Sequence, residues 1–199
     1  MGDNVAEADL LRRAGGGDEG AFLVLYERHR GPVFRFAYRL LGSSQLAEDI
    51  THDCFLALIR RPDGYQPERA SLRTYLCAAA RNLAFKQLRR RGVETTVEEL
   101  PEPPAEADDA EPLRRLLEEE IVSEVRQAVS SLPPLQREAL VLFEYEEMSL
   151  AEVAAIVDAD VGTVKSRLHR ARERLRRVLT PLMAGQPAAA VVVPMEKMT

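Results

Sequence analysis

One stretch near the C-terminus, Ser149 to Arg177, constrains the fold most, because it has the pattern of two helices with a tight joint. Ser149 is a good N-cap, and Glu152 three residues later completes a capping box. Two turn-tolerant carboxylates, Asp158 and Asp160, follow the first short helix. The spacing predicts a second helix from Val161, and the pair has the pattern of a helix-turn-helix.

The second helix of this pair separates its residues by face. Its apolar positions recur at helical spacing along one side. Between Val161 and Arg177 there are seven Lys or Arg residues and one Glu. A helix that buries one face and presents cations on the other suits the major groove of DNA. A basic helix lying on a membrane surface is the competing interpretation, but this apolar face has no Trp or Phe anchor. The apolar face consists of Val164, Leu168, Ala171, Leu175 and Val178.

The net charge of −5 is unevenly distributed along the chain. Residues 1–91 carry a net +4, residues 92–124 carry −10, and residues 125–199 carry +1. Residues 92–112 are rich in Pro, Glu, Asp and Ala, so we expect a flexible acidic linker there. The composition therefore predicts two small domains, at residues 1–91 and 113–182, followed by a disordered tail at residues 183–199.

The N-terminal part also has helical periodicity throughout. We expect Asp18 to cap a helix that ends at Gly42 and has a break near Gly31-Pro32. Ser43 or Ser44 caps the next helix, and Ser71 caps a third, after a loop over residues 62–70. We expect Pro181 to end the last helix of the chain. No strand pattern of any length occurs, so the chain is predicted to be all-α.

Two helix faces of this part are candidates for binding. On the third helix, cations interleaved with aromatic side chains suit an unpaired nucleic-acid strand. On the second helix, the acidic residues Glu48, Asp49 and Asp53, with His52, lie largely on one side. An acidic protein-binding or solvated face is favoured there over a metal cluster. No spacing indicates a catalytic site, a metal site or a cofactor, and Cys54 and Cys77 are expected to be buried free thiols.

Four segments, in this order, resemble the extracytoplasmic-function group of bacterial sigma factors, the promoter-specificity subunits of RNA polymerase. The segments are DEGAFLVLYERHRGPVFRFAYRLLG, AEDITHDCF, YQPERASLRTYLCAAARNLAFKQLRRR and LPPLQREALVLFEYEEMSLAEVAAIVDADVGTVKSRLHRARERLRR. The resemblance covers roughly residues 18–182 and implies two helical domains, sigma region 2 and sigma region 4. The chain departs from the usual family pattern at His52-Asp53-Cys54, at Tyr75, and at Asp158 and Asp160.

The resemblance implies a role for each face. The acidic face would bind the clamp helices of core RNA polymerase through Glu48, Asp49, His52 and Asp53. The first domain would melt promoter DNA at the minus-ten element, hold a flipped base in the loop 63–71, and contact the open strand through Tyr75, Arg81, Asn82, Phe85 and Lys86. The second domain would read the minus-thirty-five element through Lys165, Ser166, His169 and Arg170, with Thr163 and Arg167 at phosphates. The linker would thread into the RNA exit path.

Three hypotheses about function follow. The first is a sigma factor that needs core polymerase, acts in the cytoplasm without membrane insertion, and is regulated by an anti-sigma factor. The second is a stand-alone helix-turn-helix regulator that needs no polymerase. The third is an interaction protein that binds polymerase without reading promoters. The cationic and aromatic helix of the first domain favours the first hypothesis, because a simple repressor does not need it. An enzyme is not expected.

Overall fold

The computed structural model describes residues 2–91 and 112–183, and every regular element in these two ranges is helical. The predicted linker at residues 92–112 lies outside the described residues except for Pro112. The predicted tail also lies outside them except for Met183. The helices are α1 (Gly2–Gly15), α2 (Glu19–Leu41), α3 (Ser44–Arg60), α4 (Leu72–Arg91), α5 (Pro112–Ser130), α6 (Pro134–Leu140), α7 (Leu150–Val157) and α8 (Val161–Met183). A short 3-10 turn (Pro62–Gly64) precedes α4, and a π-helical turn (Val141–Tyr145) follows α6.

The helix ends in the first domain (α1–α4) lie where the sequence predicts them. The Asp18 side chain accepts a hydrogen bond from the Ala21 backbone, and Ser43 is the N-cap of α3. Gly42 ends α2 with a φ of 69°, a left-handed conformation that favours glycine. The Ser71 hydroxyl accepts a hydrogen bond from the Thr74 backbone N–H at 3.1 Å. Local capping chemistry therefore sets these boundaries.

Two predicted helix interruptions are wrong. The helix α2 continues through Pro32, although proline has no N–H to donate to the carbonyl four residues earlier. The neighbouring residues Val33 and Phe36 are fully buried, and their packing outweighs one missing hydrogen bond. Likewise, α8 continues past Pro181 to Met183.

The two domains pack against each other. The helix α4 contacts α2 and α3 of its own domain and also α7 of the second domain (α5–α8). The buried apolar side chains of both domains form one continuous cluster, to which α4 contributes Leu72 and Leu76. The structure therefore has the two domains in a closed arrangement, in which α4 is central.

Candidate nucleic-acid interface

The joint between α7 and α8 has the predicted capping chemistry. The Ser149 hydroxyl and the Glu152 carboxylate form a reciprocal capping box at the start of α7. Burial alone would raise the pKa of Glu152, but hydrogen bonds from Ser149 and Thr74 outweigh it and hold that pKa below its usual value. Asp158 ends α7 in the left-handed region, with a φ of 51°. The fixed joint sets the direction of α8.

A second cap begins α8. The Asp160 carboxylate accepts hydrogen bonds from the Thr163 backbone N–H at 2.8 Å and from the Thr163 hydroxyl at 2.7 Å. These bonds hold the pKa of Asp160 below its usual value. Thr163, predicted to contact a phosphate, therefore takes part in the cap at the N-terminal end of α8, where backbone N–H groups also favour anions.

Most positions of α8 are buried or exposed as the sequence predicts. Val164, Leu168 and Ala171 are buried, and Leu175 is partly buried. Val178 differs, because it is half exposed and lines an open groove between α5 and α8. The opposite face is exposed and contains the predicted base-reading residues Lys165, Ser166, His169 and Arg170. A cationic face on a helix with a firmly packed opposite side can approach a DNA groove.

Arg167 is the exception among the cations predicted on α8. Its side chain is 19% exposed, and its guanidinium lies 3.1 Å from the Glu138 carboxylate. Glu138 belongs to α6 and is fully buried. A carboxylate of the same domain therefore occupies Arg167, for which a phosphate partner was predicted.

On the predicted strand-binding face of α4, some residues are also exposed while one arginine is paired with a carboxylate of the protein. Asn82 and Lys86 are exposed, and Phe85 lies beside them, partly buried. The Arg81 guanidinium lies over the Phe85 ring at 4.8 Å from its centroid. Arg81 also donates to Glu138 at 2.6 Å, and its side chain is 16% exposed. All five predicted strand contacts thus lie on α4, and four of them fall between positions 81 and 86, where Arg81 is engaged by the second domain.

The fifth predicted contact, Tyr75, lies in the first turn of α4, next to the loop 63–71. Its ring meets that of Tyr65 edge to face, with centroids 5.7 Å apart. Tyr65 is 6% exposed, and its hydroxyl has no hydrogen-bond partner among the described residues. Burial, with the charges of Glu7 and Glu68, raises the pKa of Tyr65. The structure brings two aromatic rings to the place where the family resemblance implies a base pocket.

The predicted polymerase-binding face is exposed on α3. Glu48, Asp49, His52 and Asp53 all face solvent, and the opposite side of α3 packs into the core. The His52 ring is nearly parallel to that of Tyr26 on α2, with centroids 6.4 Å apart. The sequence prediction omitted Leu56, which follows Asp53 by three residues and is 47% exposed. A single exposed apolar side chain is common on protein surfaces, so Leu56 adds apolar area to this face without marking it as a binding site.

The sequence prediction also missed three buried charged residues of the second domain, Arg137, Glu138 and Glu146. Arg137 donates to the Leu40 carbonyl of the first domain at 2.8 Å, and burial lowers its pKa to about 10. Burial raises the pKa of Glu138, although Arg81 and Arg167 act in the opposite direction. Arg137 and Glu138 lie in α6 beside the polar Gln136, and Glu146 follows the π-helical turn between Tyr145 and Glu147, so the local sequence pattern gave no signal of their burial.

Within residues 2–91 and 112–183, no three His, Cys, Asp or Glu side chains come together as metal ligands would. In the same ranges no helix is both long enough and apolar enough to cross a bilayer.

Two family profiles match the two domains. The profile described as Sigma-70 region 2 matches residues 25–93, and the profile described as Sigma-70, region 4 matches residues 123–175. The chain belongs to the sigma-70 family. Members of this family are DNA-binding initiation factors, and the chain is an RNA polymerase sigma factor that directs promoter recognition, promoter melting and transcription initiation.

Similar proteins support this assignment along most of the chain. The RNA polymerase sigma-H factor of Pseudomonas aeruginosa is 30% identical over 89% of the chain and 95% of that protein. SigE of Mycolicibacterium smegmatis, described as an extracytoplasmic-function (ECF) RNA polymerase sigma factor, is 36% identical over 78% of the chain, which spans 60% of that relative. The chain belongs to the extracytoplasmic-function group of the sigma-70 family. Among solved structures, the sigma factor RpoE of Bartonella quintana, in complex with the anti-sigma factor NepR, is 27% identical. Its match covers 80% of the chain and 96% of RpoE, with a TM-score of 0.63.

The family assignment decides between the three hypotheses. It confirms the prediction of a sigma factor and of an all-α chain with two sigma domains. The profiles identify a sigma factor, and neither of them describes a stand-alone regulator or an interaction protein.

Proposed function

We propose that this sigma factor divides promoter recognition between its exposed faces, in the cytoplasm and with no catalytic step of its own. The cationic face of α8 reads the minus-thirty-five element as duplex. Asn82, Phe85 and Lys86 on α4, with Tyr75 at the loop 63–71, hold the open strand of the minus-ten element. The acidic face of α3 binds core RNA polymerase, and residues 92–112 link the two domains.

The observation that carries this proposal is the separation of faces on α8. Val164, Leu168 and Ala171 anchor one side, so the exposed side chains opposite them are held in a fixed direction. Arg170 is the best candidate for a guanine contact, because its planar fork can donate to two acceptors on one base edge. Lys165, Ser166 and His169 are exposed on the same helix and can contact neighbouring bases or phosphates.

Run-off transcription with core polymerase tests the base-reading role. Arg170→Ala should cost about 1–3 kcal/mol of promoter binding and relax the preference at one position of the upstream element. Arg174→Ala is the matched control, because Arg174 is an exposed cation on the same helix. It should weaken binding about equally on all sequences and reduce the salt slope by about one unit. An even loss across all promoter variants for Arg170→Ala would refute base reading.

The polymerase face has its own test. Reversing the charges of Asp49 and Asp53 should weaken capture of core polymerase, while circular dichroism shows unchanged helicity. Both side chains are exposed, so the change does not disturb the core. Glu19→Lys, an exposed change in the first turn of α2, is the control for charge alone. Capture that survives the double change would show that this face is merely solvated.

We also propose an anti-sigma factor as a partner of this chain. The support is the similarity to RpoE, whose solved structure is a complex with the anti-sigma factor NepR. Co-purification of a small partner with the tagged chain, and its release by core polymerase, would be the expected result. A partner that leaves transcription unchanged would contradict the proposal.

A further inference from the structure

A buried ion pair ties α8 to α6 within the second domain. The Arg167 guanidinium donates to the Glu138 carboxylate at 3.1 Å, and the Glu138 side chain is 0% exposed. Arg81 of the first domain also donates to this carboxylate, at 2.6 Å. Because Glu138 and Arg167 belong to the same domain, their pairing does not depend on where the first domain lies. A carboxylate buried this deeply needs a partner, since an unpaired buried charge strongly lowers stability.

Arg167 lies at the border between the two faces of α8. At about 100° per residue, it is about 60° around the helix from the buried Val164 and about 60° from the exposed Arg170. The apolar contacts of Val164 and Leu168 hold α8 against the domain, but hydrophobic attraction has no preferred direction. A hydrogen-bonded ion pair has a defined geometry, so it also fixes the rotation of α8 about its own axis.

The rotation of α8 decides where its exposed side chains meet DNA. Side chains reach about 5–6 Å from a helix axis, so a rotation of about 20° moves their tips by about 2 Å. A two-point contact between Arg170 and a guanine does not survive such a shift, because a hydrogen bond is lost beyond about 3.5 Å. Loss of the Glu138–Arg167 pair would therefore relax base reading without removing any group that touches a base.

We propose that Arg167 is a positioning residue, which acts through Glu138 to fix the rotation of α8, and that it does not contact a phosphate of the upstream element. This role rests on the proposed function, in which the exposed face of α8 reads bases. It replaces the phosphate role that the family resemblance implies for Arg167. The support is the carboxylate that occupies its guanidinium and the small exposed fraction of its side chain, 19%.

The two roles of Arg167 predict opposite results when its carboxylate partner is changed. Glu138 is negatively charged and fully buried on α6, so it does not itself bind DNA. If Arg167 held a phosphate, removing the Glu138 charge would release the guanidinium and tighten binding on every sequence. If Glu138 positions α8 through Arg167, the same change should weaken the preference for the correct base.

The test uses holoenzyme formed from the full chain and core polymerase. Two promoters compete in the same tube, one with the intact upstream element and one with a single base pair changed, at each position of the element in turn. The proportion of the two complexes gives a specificity ratio, which does not depend on the fraction of active protein. The second quantity is the salt slope of promoter binding, which counts phosphate contacts.

The compared variants are Glu138→Gln, Arg167→Met and the two changes together. Each single change should lower the specificity ratio about tenfold at the position that Arg170 reads, because one two-point contact supplies discrimination of that size. The combined variant should lower it no further, because both changes break the same pair. The salt slope should stay unchanged. Glu144→Gln is the matched control and should change neither quantity, because Glu144 pairs with Arg172 of α8 at 2.6 Å in a partly exposed position.

A second combined variant, Glu138→Leu with Arg167→Met, keeps the test decisive if a single variant fails to fold. It replaces the buried ion pair with apolar groups, and such replacements are often neutral or stabilising. Circular dichroism should show a folded chain, and the specificity ratio should still be lowered, because apolar contacts do not fix the rotation of α8. A purely structural role of the pair would instead leave the ratio of this folded variant at the wild-type value.

Three results would refute the positioning role. In Arg167→Met, a salt slope reduced by about one unit with an unchanged specificity ratio would show a phosphate contact. An unchanged ratio and slope would show that the pair only stabilises the domain. A further loss in the combined variant would show that Glu138 and Arg167 act independently.

The proposed function fails by a different result. If Arg170→Ala lowers binding evenly at every position of the element, α8 does not read bases, and the proposed function is wrong. A relaxed preference in Arg170→Ala, together with an unchanged specificity ratio in Arg167→Met, would leave the proposed function standing and refute only the positioning role.

Discussion

Asp158 joins α7 to α8 in a left-handed backbone conformation, and substitutions there test how much this strained conformation lowers the stability of the second domain. Asp158 has a φ of 51° and a ψ of 56°, and its side chain is exposed. A left-handed conformation costs an L-residue about 1–2 kcal/mol, and less for Asp, whereas glycine adopts it freely. The backbone N–H of Asp158 bonds to the Ala154 carbonyl, and a glycine would keep that bond.

Asp158→Gly should therefore stabilise the second domain by about 0.5–1 kcal/mol, after the extra freedom of glycine in the unfolded chain is subtracted. For a chain of this size that is an increase of about 1–4 °C in Tm. Asp158→Ala should destabilise by a similar amount. Urea unfolding followed by circular dichroism at neutral pH measures both changes.

The control is the aspartate two residues later. Asp160 caps α8 through two hydrogen bonds from Thr163, so Asp160→Gly should lower the stability of the second domain slightly and Asp160→Ala should lower it more. The two Asp→Gly changes are thus expected to have opposite signs. A loss of stability in Asp158→Gly would refute the reasoning, because it would mean that the Asp158 side chain contributes more than its strained backbone costs.

Four further outcomes are expected. Leu168→Ala should destabilise the second domain by about 2–5 kcal/mol in urea unfolding, because it leaves a cavity at a position 3% exposed, and a loss below that of a surface change would contradict the packing. Ser149→Ala should cost about 1 kcal/mol by removing the capping box. The pKa of folded Glu152 is lowered, so the carboxylate stabilises the fold at pH values above the ordinary glutamate pKa. This stabilisation is lost as the pH falls through the folded pKa, so the stabilities of Glu152→Gln and the wild type should converge in acid. Cys54 and Cys77 should resist alkylation in the native protein and react once urea unfolds it, and rapid native labelling would contradict their burial.

Local chemistry made the helix boundaries predictable from the sequence. The caps at Asp18, Ser71 and Ser149 depend on residues within three positions of each other, so the pattern is visible in the chain itself. The buried face of α8 was predictable for the same reason, since Val164 and Leu168 are one helical turn apart.

Features that depend on distant residues were not predictable in this way. Pro32 is tolerated inside α2 because the helix is held by core packing, which the local pattern does not reveal. Arg81 and Glu138 are 57 positions apart in the sequence, and neither carries a local signal of the other. An arginine on a basic helix face has the same sequence pattern whether its partner is a phosphate or a buried carboxylate.

The residues that form the contact between the two domains are far apart in the sequence, so the ribosome makes them at different times. The chain leaves the ribosome N-terminus first, and Arg35 is synthesised 111 residues before its partner Glu146. At about 5–20 residues per second, α2 exists for about 5–20 seconds before that carboxylate is available. During this interval the arginines of the newly made first domain lack the carboxylates that later cover them. Nascent chains are therefore expected to bind polyanions more readily than the finished protein, and the contact between the domains is expected to be the last part of the fold to form.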